Sequence, residues 1–195
     1  MKAFRYVVLA VALLVAAGAA SAQSRFSGAV GTGAGVFLGE KSGEAVGVDV
    51  ALGVLNANDF FFGLGAGLER RFILNSQYDP SSADDWPAFE WDFRQPRILK
   101  GNEFSLFLDI KRIFGSGRVR PAVEARGGLA IGYSAYTIGG VFYSLGAGCR
   151  FALTPETGIA VRASYEKEGG FHADDVYRSE LGWFHSLGLR LAYEF

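Results

Sequence analysis

The sequence has few residues that could carry catalytic or cross-linking chemistry. Its 195 residues include one cysteine, one methionine, two histidines and five prolines. The single Cys149 excludes an internal disulfide and provides no cysteine framework. No phosphate-binding loop, cysteine cluster or dinucleotide fingerprint is present. The sequence therefore predicts no cofactor and no metal site.

The chain also lacks a strong charge of either sign. Nineteen basic and 20 acidic residues give a formal net charge of −1. Loss of the first 22 residues would remove Lys2 and Arg5, leaving 17 bases against 20 acids and a net charge of −3. This weakly acidic balance does not indicate nucleic-acid binding.

Long apolar runs are missing after residue 22. No segment there approaches the roughly 20 apolar residues of a membrane-spanning helix, and helical periodicity is absent. Twenty-seven glycines, 17 phenylalanines and 8 tyrosines instead lie in stretches that alternate apolar and small or charged residues. Because bilayers admit only helices and closed barrels, a membrane protein with this pattern has to be a β-barrel.

The first 22 residues have the pattern of an export signal. Lys2 and Arg5 precede an apolar run over residues 6–17, and Ala20 and Ala22 form an A-x-A cleavage site. We expect cleavage to leave a mature chain that starts at Gln23. A transmembrane anchor is the alternative, but the apolar run is short and small residues close it. The absence of a cysteine at the cleavage point argues against a lipoprotein anchor.

Eight alternating segments follow, separated by turn residues. They cover residues 26–38, 45–54, 60–72, 103–114, 119–133, 141–153, 159–167 and 181–195. The predicted fold is all-β, an eight-stranded antiparallel up-and-down transmembrane barrel over residues 23–195. Connections after the second, fourth and sixth segments are tight turns, and those after the third, fifth and seventh are longer, as in outer-membrane barrels.

The two faces of these segments differ in composition. Outward aromatics are expected to form two girdles, one from Phe26, Phe60, Phe62, Phe114, Phe151, Tyr193 and Phe195, the other from Phe72, Phe104, Tyr133, Tyr143, Tyr165 and Trp183. The inward face is expected to carry a balanced lumen charge network of six acids and six bases: Asp49, Glu69, Asp109, Glu124, Glu166, Glu194, Arg71, Lys111, Arg126, Arg150, Arg162 and Arg190.

Three cross-strand relations follow from the tight turns. Asp109 is expected near Arg126, and Lys111 near Glu124. Arg150 is expected opposite Arg162, where the two positive charges would repel unless an acid lies between them. Glu124 is the predicted intermediary.

The last residues complete the pattern. Ser186, Gly188, Leu191 and Tyr193, with the terminal Phe195, resemble the C-terminal assembly signal of bacterial outer-membrane barrels. Together with the export signal and the eight segments, they make the chain similar to small eight-stranded barrels of the OmpA-barrel, OmpX, OmpW and opacity-protein types. No motif selects one subfamily.

The resemblance implies an environment and partners. An integral protein of the Gram-negative outer membrane would contact membrane lipid and lipopolysaccharide, and it would be assembled by the barrel assembly machinery. We expect a monomer with its long loops outside the cell.

Three functional hypotheses remain open. The first is a structural or surface-interaction barrel with a side-chain-filled lumen and no catalysis, acting mainly through residues 73–101. Within that loop, Phe89, Trp91 and Phe93 are candidates for binding an extracellular ligand or protein, although they could instead fold back onto the rim or sit in lipopolysaccharide.

The second hypothesis is a narrow passive channel for small solutes, lined by Phe61, Phe107, Phe142 and Phe184. These rings are more simply explained as lumen filler, and the twelve inward charges argue against an apolar route. The third is a lipid-modifying enzyme, which would use a lipid-facing histidine and serine. Adjacent strand residues point to opposite faces, so His185 and Ser186 cannot form that pair directly. His172, Asp174 and Asp175 are more simply read as a solvated loop than as metal ligands.

A soluble β-sandwich or lipocalin-like barrel is the structural alternative. It would need a cover for the apolar stripe on every segment.

Overall fold

The described part of the chain forms eight β-strands. The computed structural model describes residues 24–38, 43–74, 98–132, 137–172 and 181–195. The strands are β1 (Arg25–Leu38), β2 (Gly43–Leu55), β3 (Phe60–Leu74), β4 (Ile98–Ile113), β5 (Val119–Gly132), β6 (Thr137–Ala152), β7 (Gly158–His172) and β8 (Leu181–Glu194). In these described ranges no helix has the length and apolar character needed to cross a membrane.

Three strands extend by at least four residues beyond the bounds that the sequence pattern predicts. β4 begins at Ile98 rather than 103, β6 begins at Thr137 rather than 141, and β7 ends at His172 rather than 167. The added residues include glycines and charges that break the apolar alternation. Hydrogen bonding to the neighbouring strands continues the extended conformation there, because pairing can override weak local preference.

The strands close into a single antiparallel barrel in sequence order. β1 pairs with β8, from Ala29 opposite Glu194 to Leu38 opposite His185. At this seam the Gly28 amide donates to the Phe195 carbonyl at 2.8 Å, and the Phe195 amide donates to the Gly28 carbonyl at 2.9 Å. The predicted fold class, an all-β, eight-stranded antiparallel up-and-down barrel, is confirmed.

Solvent exposure follows the alternation, but with the apolar face outside. Outward Leu64 and Leu145 are 68% and 61% exposed, whereas inward Asp109 is fully buried. Such a distribution would be unfavourable in water, because large apolar side chains are left uncovered over the whole wall. It suits a wall surrounded by lipid, with polar groups gathered in the lumen.

The two ends of the barrel differ. Residues 56–59, 114–118 and 153–157 connect strands at one end, here called the short-turn end. There Asn56 Oδ1 accepts from the Asn58 and Phe60 amides at 2.9 and 3.0 Å, and Asp59 has a positive φ of 58°. Residues 39–42, 75–97, 133–136 and 173–180 connect strands at the opposite, long-loop end. The 133–136 connection is shorter than expected because β6 begins early.

Outward aromatics occupy both ends. Near the short-turn end lie Phe26, Phe60, Phe62, Phe114, Phe151, Tyr193 and Phe195, and near the long-loop end lie Phe72, Phe104, Tyr143 and Tyr165. Tyr133 and the Trp183 side chain fall outside the described part of the chain. The spacing matches the two interfacial girdles of a membrane barrel.

Close strand packing requires glycine at Gly148. A Cβ atom there would lie 2.0 Å from the Val161 carbonyl oxygen and 2.7 Å from the Arg162 Cα atom. We expect Gly148→Ala to lower the free energy of unfolding by about 1–3 kcal/mol, because backbone has to move to admit the methyl group. Urea unfolding in detergent micelles measures the change.

Gly127→Ala is the matched control. A Cβ atom at Gly127 would meet its nearest neighbour at an ordinary 3.7 Å. Its stability should stay within about 0.5 kcal/mol of wild type. Equal effects of the two substitutions would contradict the steric explanation.

Candidate functional site in the barrel lumen

The inward positions of the strands gather a dense set of charges. The structure places the twelve charged residues named from the sequence inside the barrel, together with Glu103 and Glu168. Apart from the Arg120–Asp59 ion pair at the rim of the short-turn end, the described lumen therefore holds eight carboxylates and six cations, rather than six of each. Glu103 stands at the first position of the predicted fourth segment, and Glu168 lies just beyond the seventh. Applying the inward parity to the first residue of the fourth segment, and extending the seventh by one residue, would have found them.

Glu194 is the centre of the cluster nearest the short-turn end. Its carboxylate accepts from Lys111 Nζ at 2.7 Å and from Arg150 Nε at 3.0 Å, and it also pairs with Arg162. These partners come from β4, β6 and β7, while Glu194 lies on β8. One carboxylate thus ties four strands together across the lumen.

The predicted relation between Arg150 and Arg162 is wrong in detail. Arg162 faces Gly148 and Arg150 faces Ala160, so the two are offset along β6 and β7. The carboxylate that bonds both is Glu194, not Glu124. Glu124 approaches Arg162 Nη1 at 3.5 Å only. Glu194 reaches both because the barrel closes β8 onto β7, which a comparison of two strands cannot show.

A second cluster lies at mid-height. Asp49 pairs with Arg190, whose Nε donates at 2.8 Å, and lies 3.4 Å from Arg126 Nη2. Glu124 lies 3.4 Å from both arginines. Asp109 and Arg126 are direct cross-strand partners, as are Lys111 and Glu124.

Asp109 is the most enclosed of these acids. Its carboxylate lies 3.6 Å from Arg126 Nη2. Neither carboxylate oxygen makes a hydrogen bond with the described residues. Arg126 therefore compensates its charge through space rather than through a short contact.

A third cluster surrounds Arg71, near the long-loop end. Its guanidinium contacts the carboxylates of Glu69 at 2.6 Å, Glu103 at 2.7 Å and Glu168 at 2.6 Å. Glu168 belongs to β7, so Arg71 on β3 reaches across the lumen. Three carboxylates here share one cation.

Aromatic rings fill the space between the charges. Lys111 Nζ lies 4.7 Å from the Phe61 ring centre, and the Arg126 guanidinium carbon lies 4.6 Å from that of Phe107. Phe107 also meets Phe142 edge to face, with ring centres 6.3 Å apart. Phe61, Phe107 and Phe142 are buried, and Phe184, the fourth inward ring named from the sequence, contacts Phe37. Cation–π contacts of this kind are attractive when desolvated.

Empty space is distributed unevenly along the lumen. A cavity of about 130 Å³ lies on the long-loop side and is lined by Asp49, Glu69, Glu103, Glu166, Arg126 and Arg190 among small residues. Around Lys111, Arg150 and Glu194, a cavity of only about 10 Å³ remains. That is at the lower limit for one water molecule. Among the described residues, the larger lumen cavity thus lies on the long-loop side.

The remaining predicted residues belong to the C-terminal assembly signal, the cleavage site and the long loop. In β8, Ser186 and Gly188 face the lumen cavity, whereas Leu191, Tyr193 and Phe195 face outward. The Ser27 hydroxyl donates to the Phe195 carbonyl at 2.7 Å, which adds a side-chain bond to the seam. Ala20, Ala22 and Gln23, and the loop residues Phe89, Trp91 and Phe93, lie outside the described residues.

His185 lies on the outer face of the barrel. Its Nδ1 pairs with the hydroxyl of Tyr165, also outward on β7, whereas Ser186 lines the lumen cavity. The two residues are therefore on opposite sides of the wall. In the described ranges no group of three His, Cys, Asp or Glu side chains is arranged to hold a metal ion.

Comparisons with known proteins find similarity at the level of structure. No protein-family model and no curated protein sequence matches the chain. The chain is similar to Neisserial surface protein A, with 11% identity, 88% of this chain and 97% of that chain covered, and a TM-score of 0.57.

Two further solved structures are less similar. The outer membrane protein OprG from Pseudomonas aeruginosa has 7% identity, coverage of 89% and 97%, and a TM-score of 0.46. The outer membrane enzyme PagL has 12% identity, coverage of 83% and 97%, and a TM-score of 0.47. With its strand topology, the chain has the fold of the small eight-stranded outer-membrane β-barrels.

Proposed function

We propose that this chain is an integral outer-membrane barrel with a closed lumen, which acts as a structural or surface-interaction protein and not as a catalyst. The observation that carries the proposal is the cluster around Glu194. Its three cationic partners meet one carboxylate where only about 10 Å³ of space remains. A solute would have to break several buried ion pairs to pass, and breaking even one is costly.

The outward surface of the strands supports a location in the outer membrane. Its outward apolar band and aromatic girdles fit a bilayer, and the fold is that of outer-membrane proteins. We place the long-loop end outside the cell, because outer-membrane barrels have short periplasmic turns and longer outer loops. An even number of strands then brings both ends of the barrel domain to the periplasmic side.

The positions of His185 and Ser186 support a role without serine–histidine catalysis. A lipid-modifying mechanism of the serine–histidine type needs both groups on one side of the wall. His185 faces outward and pairs with Tyr165, while Ser186 faces the lumen.

The first test is ion conductance. We expect the full protein, purified from membranes and inserted into planar bilayers in potassium chloride solution, to give no steady single-channel steps, because the Glu194 cluster closes the lumen. Protease protection of the inserted strands would show that insertion occurred. Reproducible steps in most insertions would overturn the closed lumen and favour the narrow-channel alternative.

The second test removes the central charge. Glu194→Gln keeps the side-chain shape but leaves Lys111, Arg150 and Arg162 without their shared anion. We expect the free energy of unfolding to fall by roughly 3–5 kcal/mol, as for other broken buried ion pairs. Denaturant titration in micelles measures it.

Glu156→Gln is the control for that test. Glu156 is exposed in the 153–157 turn at the same end of the barrel. The substitution removes the same charge without emptying the lumen, so stability should change by less than about 0.5 kcal/mol. A Glu194→Gln protein as stable as this control would show that the cluster does not hold the strands together.

The third test concerns the outer surface. The predicted loop 73–101 is shorter than expected, because β3 continues to Leu74 and β4 begins at Ile98. We infer that its remaining part, residues 75–97, carries the interaction role through the alternating Phe89, Trp91 and Phe93. Deletion of 79–93 should leave barrel assembly intact and abolish adhesion of expressing cells to protein-coated surfaces, since loops tolerate deletion better than strands. Serine at the three aromatic positions should reproduce the loss. Unchanged adhesion in both variants would refute this role.

A further inference from the structure

The charges of the lumen do not balance, and the imbalance lies at one end. Near the long-loop end, Glu69, Glu103, Glu166 and Glu168 are accompanied by one cation, Arg71, within their cluster. The remaining described lumen charges are four carboxylates and five cations. The described lumen as a whole therefore has two more negative than positive side chains.

Glu166 differs from the other three acids in this group. Glu69, Glu103 and Glu168 each contact Arg71, but Glu166 makes no hydrogen bond or ion pair with any described residue. Arg126 and Arg190, the nearest other cations on this side of the lumen, pair with Asp49 and Glu124 instead. A carboxylate in such surroundings lacks the partner that an enclosed charge normally requires.

This carboxylate lines the 130 Å³ cavity. In the sheet Glu166 lies opposite Ser144 on β6 and Ser186 on β8. Ser186 lines the cavity, as do Ser105, Ser164, Phe107 and Phe142. The volume is close to that of engineered protein cavities that hold benzene. The site thus combines a carboxylate without an ion-pair partner, further acids, hydroxyl groups and aromatic surface with two arginines, Arg126 and Arg190, that are already paired. The acids in excess and the aromatic surface together suit an organic cation.

A metal ion fits this site less well than an ammonium group. The described residues contain no group of three His, Cys, Asp or Glu side chains arranged for a metal, and most of the acids already bond to arginines. An ammonium group needs no fixed coordination shell and can share hydroxyl and carboxylate acceptors.

We propose that the cavity on the long-loop side binds a small aliphatic diamine, with one ammonium group at the Glu166 carboxylate. Two ammonium charges match the excess of two carboxylates in the described lumen. The Glu194 cluster closes the cavity below, so the ligand binds and leaves by the long-loop end. This inference goes beyond the proposed function and does not depend on the 73–101 loop having a partner.

The experiment is calorimetric titration of the full protein, purified from membranes in zwitterionic detergent, with 1,4-diaminobutane. We expect saturable binding of one diamine per barrel and weaker binding of n-butylamine. Glu166→Gln should weaken diamine binding about tenfold or more, because a direct charge pair is lost. No saturable heat up to about 10 mM diamine would overturn the proposal.

Glu44→Gln is the matched control. Glu44 lies on β2 near the same end but on the outward face, opposite Phe72. Its substitution removes the same charge from the protein without touching the cavity, so diamine affinity should be unchanged. Equal weakening by the two substitutions would show that the diamine responds to overall charge and would overturn the site.

Thermal unfolding and competition by magnesium test the diamine site independently of the variants. If Glu166→Gln does not fold, the unfolding temperature of the wild-type protein should still rise with diamine concentration, as ligand binding to the native state requires. An unchanged unfolding temperature would count against binding. If magnesium chloride displaces the diamine at an equal or lower concentration, the site prefers a metal ion and the ammonium proposal is wrong.

Discussion

Every backbone amide and carbonyl in a bilayer-spanning wall has to find its partner within the wall, because lipid offers none. In this chain the demand is met at the seam between β1 and β8, where Gly28 and Phe195 exchange two hydrogen bonds. Closure with eight strands also sets the width of the lumen. That width lets Arg71 on β3 reach Glu168 on β7, and Lys111 on β4 reach Glu194 on β8.

The lumen has two parts with different physical character. On the short-turn side, Glu194 and its three cations are packed with buried phenylalanines and leave almost no space. On the long-loop side, small residues line a cavity, and acids outnumber their cations. In the first arrangement three cations share one carboxylate, which links four strands. In the second, Glu166 has no ion-pair partner among the described residues.

The two-residue alternation of the strands was enough to identify most of the lumen-facing charged residues from the sequence. It placed all twelve named charges inside, separated His185 from Ser186, and paired Asp109 with Arg126. It missed Glu168 because the end of β7 is weakly marked where glycines and charges interrupt the alternation, whereas Glu103 lay inside its predicted segment and has the inward parity. It also assigned Glu124 the position between Arg150 and Arg162 that Glu194 holds.

The sequence by itself determined the strand number, the inward and outward faces and the aromatic girdles. These depend on a two-residue period that every segment repeats. Only the tertiary structure decided which acid meets which base, where the lumen is full and where it is hollow. Those properties depend on contacts across the barrel between strands far apart in sequence, and their geometry exists only once β8 has closed onto β1.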